Sequence, residues 1–237
     1  IAGHSLGGMI GPRYAQRYPD RVKSLGIWST AAFRTEDDSA KVMGVVAAMR
    51  DPFPQVDGAG FDRLRAAGIT VESGLMEAQA RQLNRGFLSR VQRGRPWVRV
   101  KLGTSRDGRT AMANGESKWI TGEASRLDVQ HWRARSGALL TGANTVLLDD
   151  PSLTVRLGDD TPFVPPLRVV LDAGLATVAR GKVRDPSAPT LYIHAPDAKP
   201  PREIEVQRAV APINAGRFDL KAVLELLAAR EINEVQV

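Results

Sequence analysis

The pentapeptide Gly3-His4-Ser5-Leu6-Gly7 has the spacing of a nucleophile elbow, in which two glycines let the backbone turn sharply from strand to helix and expose the Ser5 hydroxyl. A serine so placed becomes a nucleophile only beside a general base, an orienting acid and an oxyanion hole, with the acid and then the base following it in the chain. The chain has three histidines, His4, His131 and His194, and His4 lies inside the elbow itself. Pro12 removes a backbone hydrogen bond from the helix that must follow and would kink it. The sequence opens at the elbow, without the strands whose loop would lend an oxyanion donor. It is therefore expected to be a fragment, with Ser5 a structural remnant.

Composition narrows the classes. The 237 residues are 43% hydrophobic, enough for a real core in one large or two small domains. The longest apolar run, residues 42–49, is far short of the roughly 18 to 20 residues that cross a bilayer, so no membrane partner is expected. The absence of cysteine excludes a disulfide framework and a thiolate metal site; no metal is expected, and a reducing compartment, the cytoplasm, fits. The net charge is +7, but the basic residues are dispersed and aromatics are 5%, so no nucleic-acid surface is expected. A few arginines converging on a phosphorylated small molecule account for part of the excess equally well, because guanidinium forks match phosphate geometry.

The elements around Ser5 read as a helix through residues 14–17, a turn at 18–22 and a strand at 24–28. With the elbow they resemble the α/β-hydrolase family, in which Ser5 would be the nucleophile. Between Met43 and Pro52 the resemblance changes. From Asp51-Pro52 through Gly58, Gly60, Phe61, Leu64, Gly68 and Val71 the order is turn, helix, strand, turn. This resembles the last piece of the deaminase domain of the bifunctional riboflavin-biosynthesis deaminase/reductase. Deaminase chemistry is excluded, since its zinc needs two cysteines. Met76, Ala80, Leu83, Phe87 and Val91, at steps of three and four, predict one amphipathic packing helix ending near Gly94-Arg95-Pro96.

Residues 96–103 predict a buried strand, and Ser105-Arg106-Asp107-Gly108-Arg109 a turn. Gly115-Glu116-Ser117-Lys118-Trp119-Ile120-Thr121-Gly122 leads into a helix running to about Arg135, with Thr121 as candidate N-cap and Glu123 in its first turn. Ala138-Leu139-Leu140-Thr141-Gly142 is an apolar strand, and Asn144-Thr145 opens the stretch that ends in Leu153-Thr154-Val155-Arg156. In order and spacing, this set resembles the reductase domain of the same riboflavin-pathway enzyme.

That resemblance implies an α/β fold: a dihydrofolate-reductase-like mixed sheet with flanking helices. It implies NADPH-dependent reduction of 5-amino-6-(5-phosphoribosylamino)uracil, a phosphorylated pyrimidine, to the ribitylamino product. Gly103, Trp119, Thr145 and Asp149 would contact the NADPH cofactor, and Ser117, Arg133, Leu153 and Arg156 the substrate. Lys101 and Asp149 would serve the chemistry, and a homodimer is implied. A glycine at a strand end permits close backbone approach, an indole offers a flat face, and two arginines with a hydroxyl suit a phosphate dianion. Hydride transfer needs positioning rather than an activated nucleophile. Arg106 departs from the apolar residue usual in the family's Ser-x-Asp-Gly turn.

Further strands are predicted at residues 166–172 and 190–194 and a helix at 220–230. The chain is expected to stop before the acidic substrate ligand and glycine-rich loop that would follow in the family, and so to be truncated at its C-terminus. The expected division is residues 1–44 as a hydrolase-like fragment, 45–94 as a deaminase tail with linking helix, and 95–237 as the reductase domain. Two alternatives stay open beside the reductase: a serine hydrolase acting through Ser5, and a chimera of unrelated fragments with no function as a unit.

Overall fold

The computed structural model describes residues 2–4, 26–28, 44–47, 58–66, 68, 70–74, 76–117, 119–158, 161–199 and 204–237. The elbow serine Ser5, the helix and turn expected at 14–22 and the start of the deaminase-like stretch at 51–57 lie outside them. The chain falls into two compact units, Ile1–Arg93 and Gly94–Val237.

In the first unit, β1 (Ala2–His4), β2 (Gly26–Trp28), β3 (Gly44–Ala47) and β4 (Thr70–Ser73) form one parallel sheet in that order. Gly26 pairs with Ala2 on one side and Val46 on the other, so strands from the two stretches with different resemblances share a sheet. Helix α1 (Ala59–Ala66) precedes β4, as expected. The single helix expected from Met76 to Val91 is instead two, α2 (Glu77–Leu83) and α3 (Arg85–Arg93). A turn at Asn84, with φ −101° and ψ 17°, divides them, although the Asn84 amide still reaches the Ala80 carbonyl at 3.0 Å and the Leu88 amide the Asn84 carbonyl at 2.9 Å; the Asn84 Nδ2 also donates to the Ala80 carbonyl at 2.8 Å. Met76 takes a left-handed φ of 56°, and it and Leu83 are more than 60% exposed, so the apolar stripe is not continuous.

The second unit carries a six-stranded sheet in the order β5-β12-β6-β7-β8-β9, built from β5 (Trp97–Arg99), β6 (Ala138–Gly142), β7 (Leu167–Leu171), β8 (Thr190–His194), β9 (Gln207–Val210) and β12 (Glu234–Gln236). A short hairpin, β10 (Ile213–Asn214) with β11 (Arg217–Phe218), lies between β9 and helix α6 (Leu220–Ala229). A sheet of mixed direction was the expectation; every pairing in the described six-stranded sheet is parallel. Parallel sheets are covered on both faces, which is why the central strands β6, β7 and β8 are rich in apolar residues.

Successive residues serve opposite faces. Val169, Leu191, Ile193 and Val235 pack with Val223 and Leu227 of α6, while Val170 and Tyr192 pack with Val146, Val178 and Val183. Asp219 caps α6, accepting from the Lys221 and Ala222 amides at 2.9 and 3.2 Å. β5 is shorter than the strand expected over 96–103. It is an edge strand rather than a buried one, with Trp97 and Val98 each 37% exposed. Helix α4 (Glu123–Arg135) is where it was expected, but its N-cap is Gly122, not Thr121, and makes no side-chain cap. Helix α5 (Ala143–Asp149) follows directly from β6.

Leu227 is fully buried in the core shared by α6 and the sheet. Leu227→Ala should therefore lower unfolding stability by about 3 kcal/mol, the cost of lost burial plus a cavity. Equilibrium denaturation measures it; a loss below about 1 kcal/mol would mean that α6 does not close this core.

Candidate functional site

A parallel sheet presents its loops at the carboxyl ends of its strands, where ligands of open α/β folds bind. Here the chain leaving β5 carries Lys101 and Gly103, and the chain leaving β6 enters α5. The Lys101 amide donates to the Val237 carbonyl at 2.9 Å, extending the β5–β12 pairing by one step. Its side chain folds back: a Cβ on Gly103 would meet the Lys101 Nζ at 3.3 Å.

An open cleft of about 490 Å³ lies along one face of α4. Lys101 and Trp119 border it from the loop side, Arg126, Gln130 and Arg133 from the helix, and Arg156 from the segment after α5. The loop that brings Trp119 here is stiffened locally. The Ser105 hydroxyl bonds the Asp107 carboxylate, which Arg109 also contacts at 3.3 Å, and Gly108 supplies the left-handed φ of 81° that the Asp-Gly turn requires. The serine hydroxyl holds the Asp107 carboxyl below its ordinary range. Arg106, the departure from the family pattern, leaves this turn intact.

No residue of α4 is fully buried; polar contacts fasten it to the cleft instead. Arg126 donates to the Thr121 carbonyl at 2.6 Å and lies over the Trp119 ring, 4.6 Å from its centroid. Gln130 accepts the Arg156 amide at 3.0 Å, and Arg133 donates to the Thr154 carbonyl at 3.2 Å. On the side toward β5, Arg99 stacks 3.8 Å from the Trp132 centroid and pairs with Glu234 at 3.3 Å. Burial first, and the neighbouring Arg156 charge second, pull the Arg133 guanidinium below the ordinary arginine value. Its Nε is buried without a hydrogen-bond partner among the described residues.

Four residues singled out in the sequence thus come together in one cleft: Lys101, Trp119, Arg133 and Arg156. Gly103 adjoins them beneath Lys101. Ser117 is exposed, two residues before Trp119 and outside the lining. Thr145 and Asp149 are exposed on α5 and do not line this cleft. The Leu153 side chain, on a left-handed backbone with φ 47°, packs against the Val146, Val170 and Tyr192 cluster instead. Arg126 and Gln130 were missed. Their one signal in sequence is the spacing with Arg133, four and seven residues from Arg126, which puts all three on one helical face.

Of the histidines, His131 is exposed on α4, and His194 is buried in β8 with Nδ1 2.8 Å from the Ala195 carbonyl. Among the described residues no group of His, Asp or Glu gathers to hold a metal ion, and no helix is long and apolar enough to cross a membrane.

Arg133 and Arg156, with Arg126 bordering the same cleft, are suited to hold an anion. Phosphate should raise the melting temperature of the protein, and Arg156→Met should abolish most of that gain while leaving the phosphate-free melting temperature within about 2 °C. Differential scanning fluorimetry reads both; an undiminished phosphate effect in the variant would show the anion binds elsewhere.

The family model of the RibD C-terminal domain matches residues 96–237. The riboflavin biosynthesis protein RibD of Escherichia coli (strain K12) is 41% identical over 209 residues, 84% of this chain and 57% of that protein. A solved RibD of Acinetobacter baumannii has a TM-score of 0.73 at 39% identity, over 88% of this chain and 60% of that one. A solved diaminohydroxyphosphoribosylaminopyrimidine deaminase/5-amino-6-(5-phosphoribosylamino)uracil reductase of Thermotoga maritima has a TM-score of 0.70 at 32% identity, over 84% of this chain and 54% of that one. The chain spans between half and two thirds of the length of these relatives. Nothing in these likenesses supports a serine hydrolase. From Pro96 onward, sequence match, parallel sheet and cationic cleft agree, and the chain belongs to the family of RibD C-terminal domains.

Proposed function

We propose that residues 95–237 act as an NADPH-dependent reductase that converts 5-amino-6-(5-phosphoribosylamino)uracil to its ribitylamino product. One observation carries this reading: Lys101, Trp119, Arg133 and Arg156, far apart in sequence, border a single cleft. The Thermotoga maritima relative is named for this reduction.

The residues present fit a nicotinamide dinucleotide. Trp119 is 73% exposed and offers a flat indole at the cleft, and Gly103 keeps the backbone bare where Lys101 bends across it. Thr145, exposed in the first turn of α5 after β6, and Asp149, exposed at the last residue of that helix, would hold the more distant parts of the cofactor. The bound cofactor would supply the hydride. Arg133 and Arg156 would take the substrate phosphate, with Ser117 and the backbone around Leu153 beside them. Anchoring that remote phosphate converts binding energy into orientation of the ribosyl carbon to be reduced. Lys101 would stabilise charge on the sugar oxygens as the ring opens. The oxygen freed on opening takes one proton, which Lys101 or water would give; Asp149, outside this cleft, is not placed to give it. The reading also takes a cytoplasmic location and a homodimer, which sedimentation velocity would test.

Incubation with the uracil substrate should oxidise NADPH, followed at 340 nm. Arg133→Met should reduce kcat/KM about a hundredfold, the scale of losing a charge-assisted contact to phosphate, while Ser5→Ala should change nothing. Absence of turnover in the parent chain together with labelling by a serine-directed fluorophosphonate would reverse the assignment.

A further inference from the structure

Helix α4 reaches two of the segments that border the cleft through different side chains. Arg126 covers the Trp119 ring at 4.6 Å and ties the same loop through the Thr121 carbonyl at 2.6 Å. Gln130 holds the Arg156 backbone amide at 3.0 Å, a tie to a stretch that has no regular secondary structure of its own. Steps of four residues stack side chains on one helical face, so the separation of these two ties is set by the rigid rise of the helix. No residue of α4 is fully buried, and Arg133 adds one further tie to the Arg156 segment, donating to the Thr154 carbonyl at 3.2 Å.

We propose that Arg126 and Gln130 are positioning residues acting on different segments of the cleft wall, Arg126 orienting Trp119 for the dinucleotide and Gln130 orienting Arg156 for the phosphate of the substrate. This rests on the reductase reading above. The arginine is suited to its place because its planar guanidinium stacks on an aromatic face while its remaining N–H groups donate. The glutamine is suited because its amide oxygen accepts a backbone N–H without adding a negative charge beside Arg133 and Arg156.

Calorimetric titration of the full chain with NADPH and, separately, with inorganic phosphate distinguishes the two roles. Arg126→Met should weaken NADPH binding about fivefold or more and leave phosphate binding within about twofold. Gln130→Met should do the reverse. In a Trp119→Leu background Arg126→Met should cost NADPH nothing further, because its effect runs through the ring. Should Arg126→Met melt early, Arg126→Lys makes the same comparison with charge kept and the planar fork lost. Variants that weaken both ligands alike, or an Arg126 effect that persists without Trp119, would overturn the inference while the reductase reading stands. A parent chain that binds neither ligand would overturn both.

Discussion

Arg133 and Arg156 approach one cleft from different elements, and like charges so placed repel unless the backbone holds them or an anion joins them. The structure does the first through two hydrogen bonds, Arg133 to the Thr154 carbonyl and the Arg156 amide to Gln130. Glu123 lines the same cleft, but among the described residues no carboxylate pairs with either guanidinium, and Gln130, not an acid, joins the helix to the segment. The desolvation that pulls the Arg133 guanidinium down from its ordinary value is a standing cost, which a bound phosphate would offset. The rest of the second unit can be understood as the scaffold that keeps these two groups together.

A contrast within the same unit makes the point. Arg168 is 1% exposed, yet four of its contacts are to main-chain carbonyls, those of Ser152, Lys182, Asp185 and Ala188. Its charge is absorbed by the fold, and it fastens the root of the segment that carries Arg156. Asp150 fixes the same region from the other side, accepting the Lys182 amide at 2.7 Å. Asp172 works likewise, its carboxylate closing the turn after β7 onto the Ala176 and Thr177 amides at 2.9 and 2.7 Å. Buried charges that face backbone thus build the frame, and cations that face the cleft are left for a ligand.

Much of this was legible in the sequence because it depended on local pattern. β6, β7 and β8 follow from short runs rich in apolar residues, α6 from its apolar periodicity, and the Asp107-Gly108 turn from its own chemistry. The gathering of Lys101, Trp119, Arg133 and Arg156 followed from family resemblance rather than from periodicity. What failed depended on contacts that pattern does not encode. Asn84, with φ −101° and ψ 17°, interrupts a helix that spacing joined. The strand expected over 96–103 is cut to Trp97–Arg99 because it lies at the sheet edge. Arg126 and Gln130 look like solvated helix charge and polarity until the loop of Trp119 and the segment of Arg156 fold against them. Ser5 carries the most conspicuous motif in the chain and has the least support from what the chain resembles.

The central claim is that the paired guanidiniums select a phosphorylated ligand. Calorimetric titration of the parent chain with 5-amino-6-(5-phosphoribosylamino)uracil and with its dephosphorylated form tests this directly. The account predicts at least about tenfold tighter binding of the phosphorylated compound, the scale of one desolvated charge-assisted contact. Equal affinity for the two would contradict it.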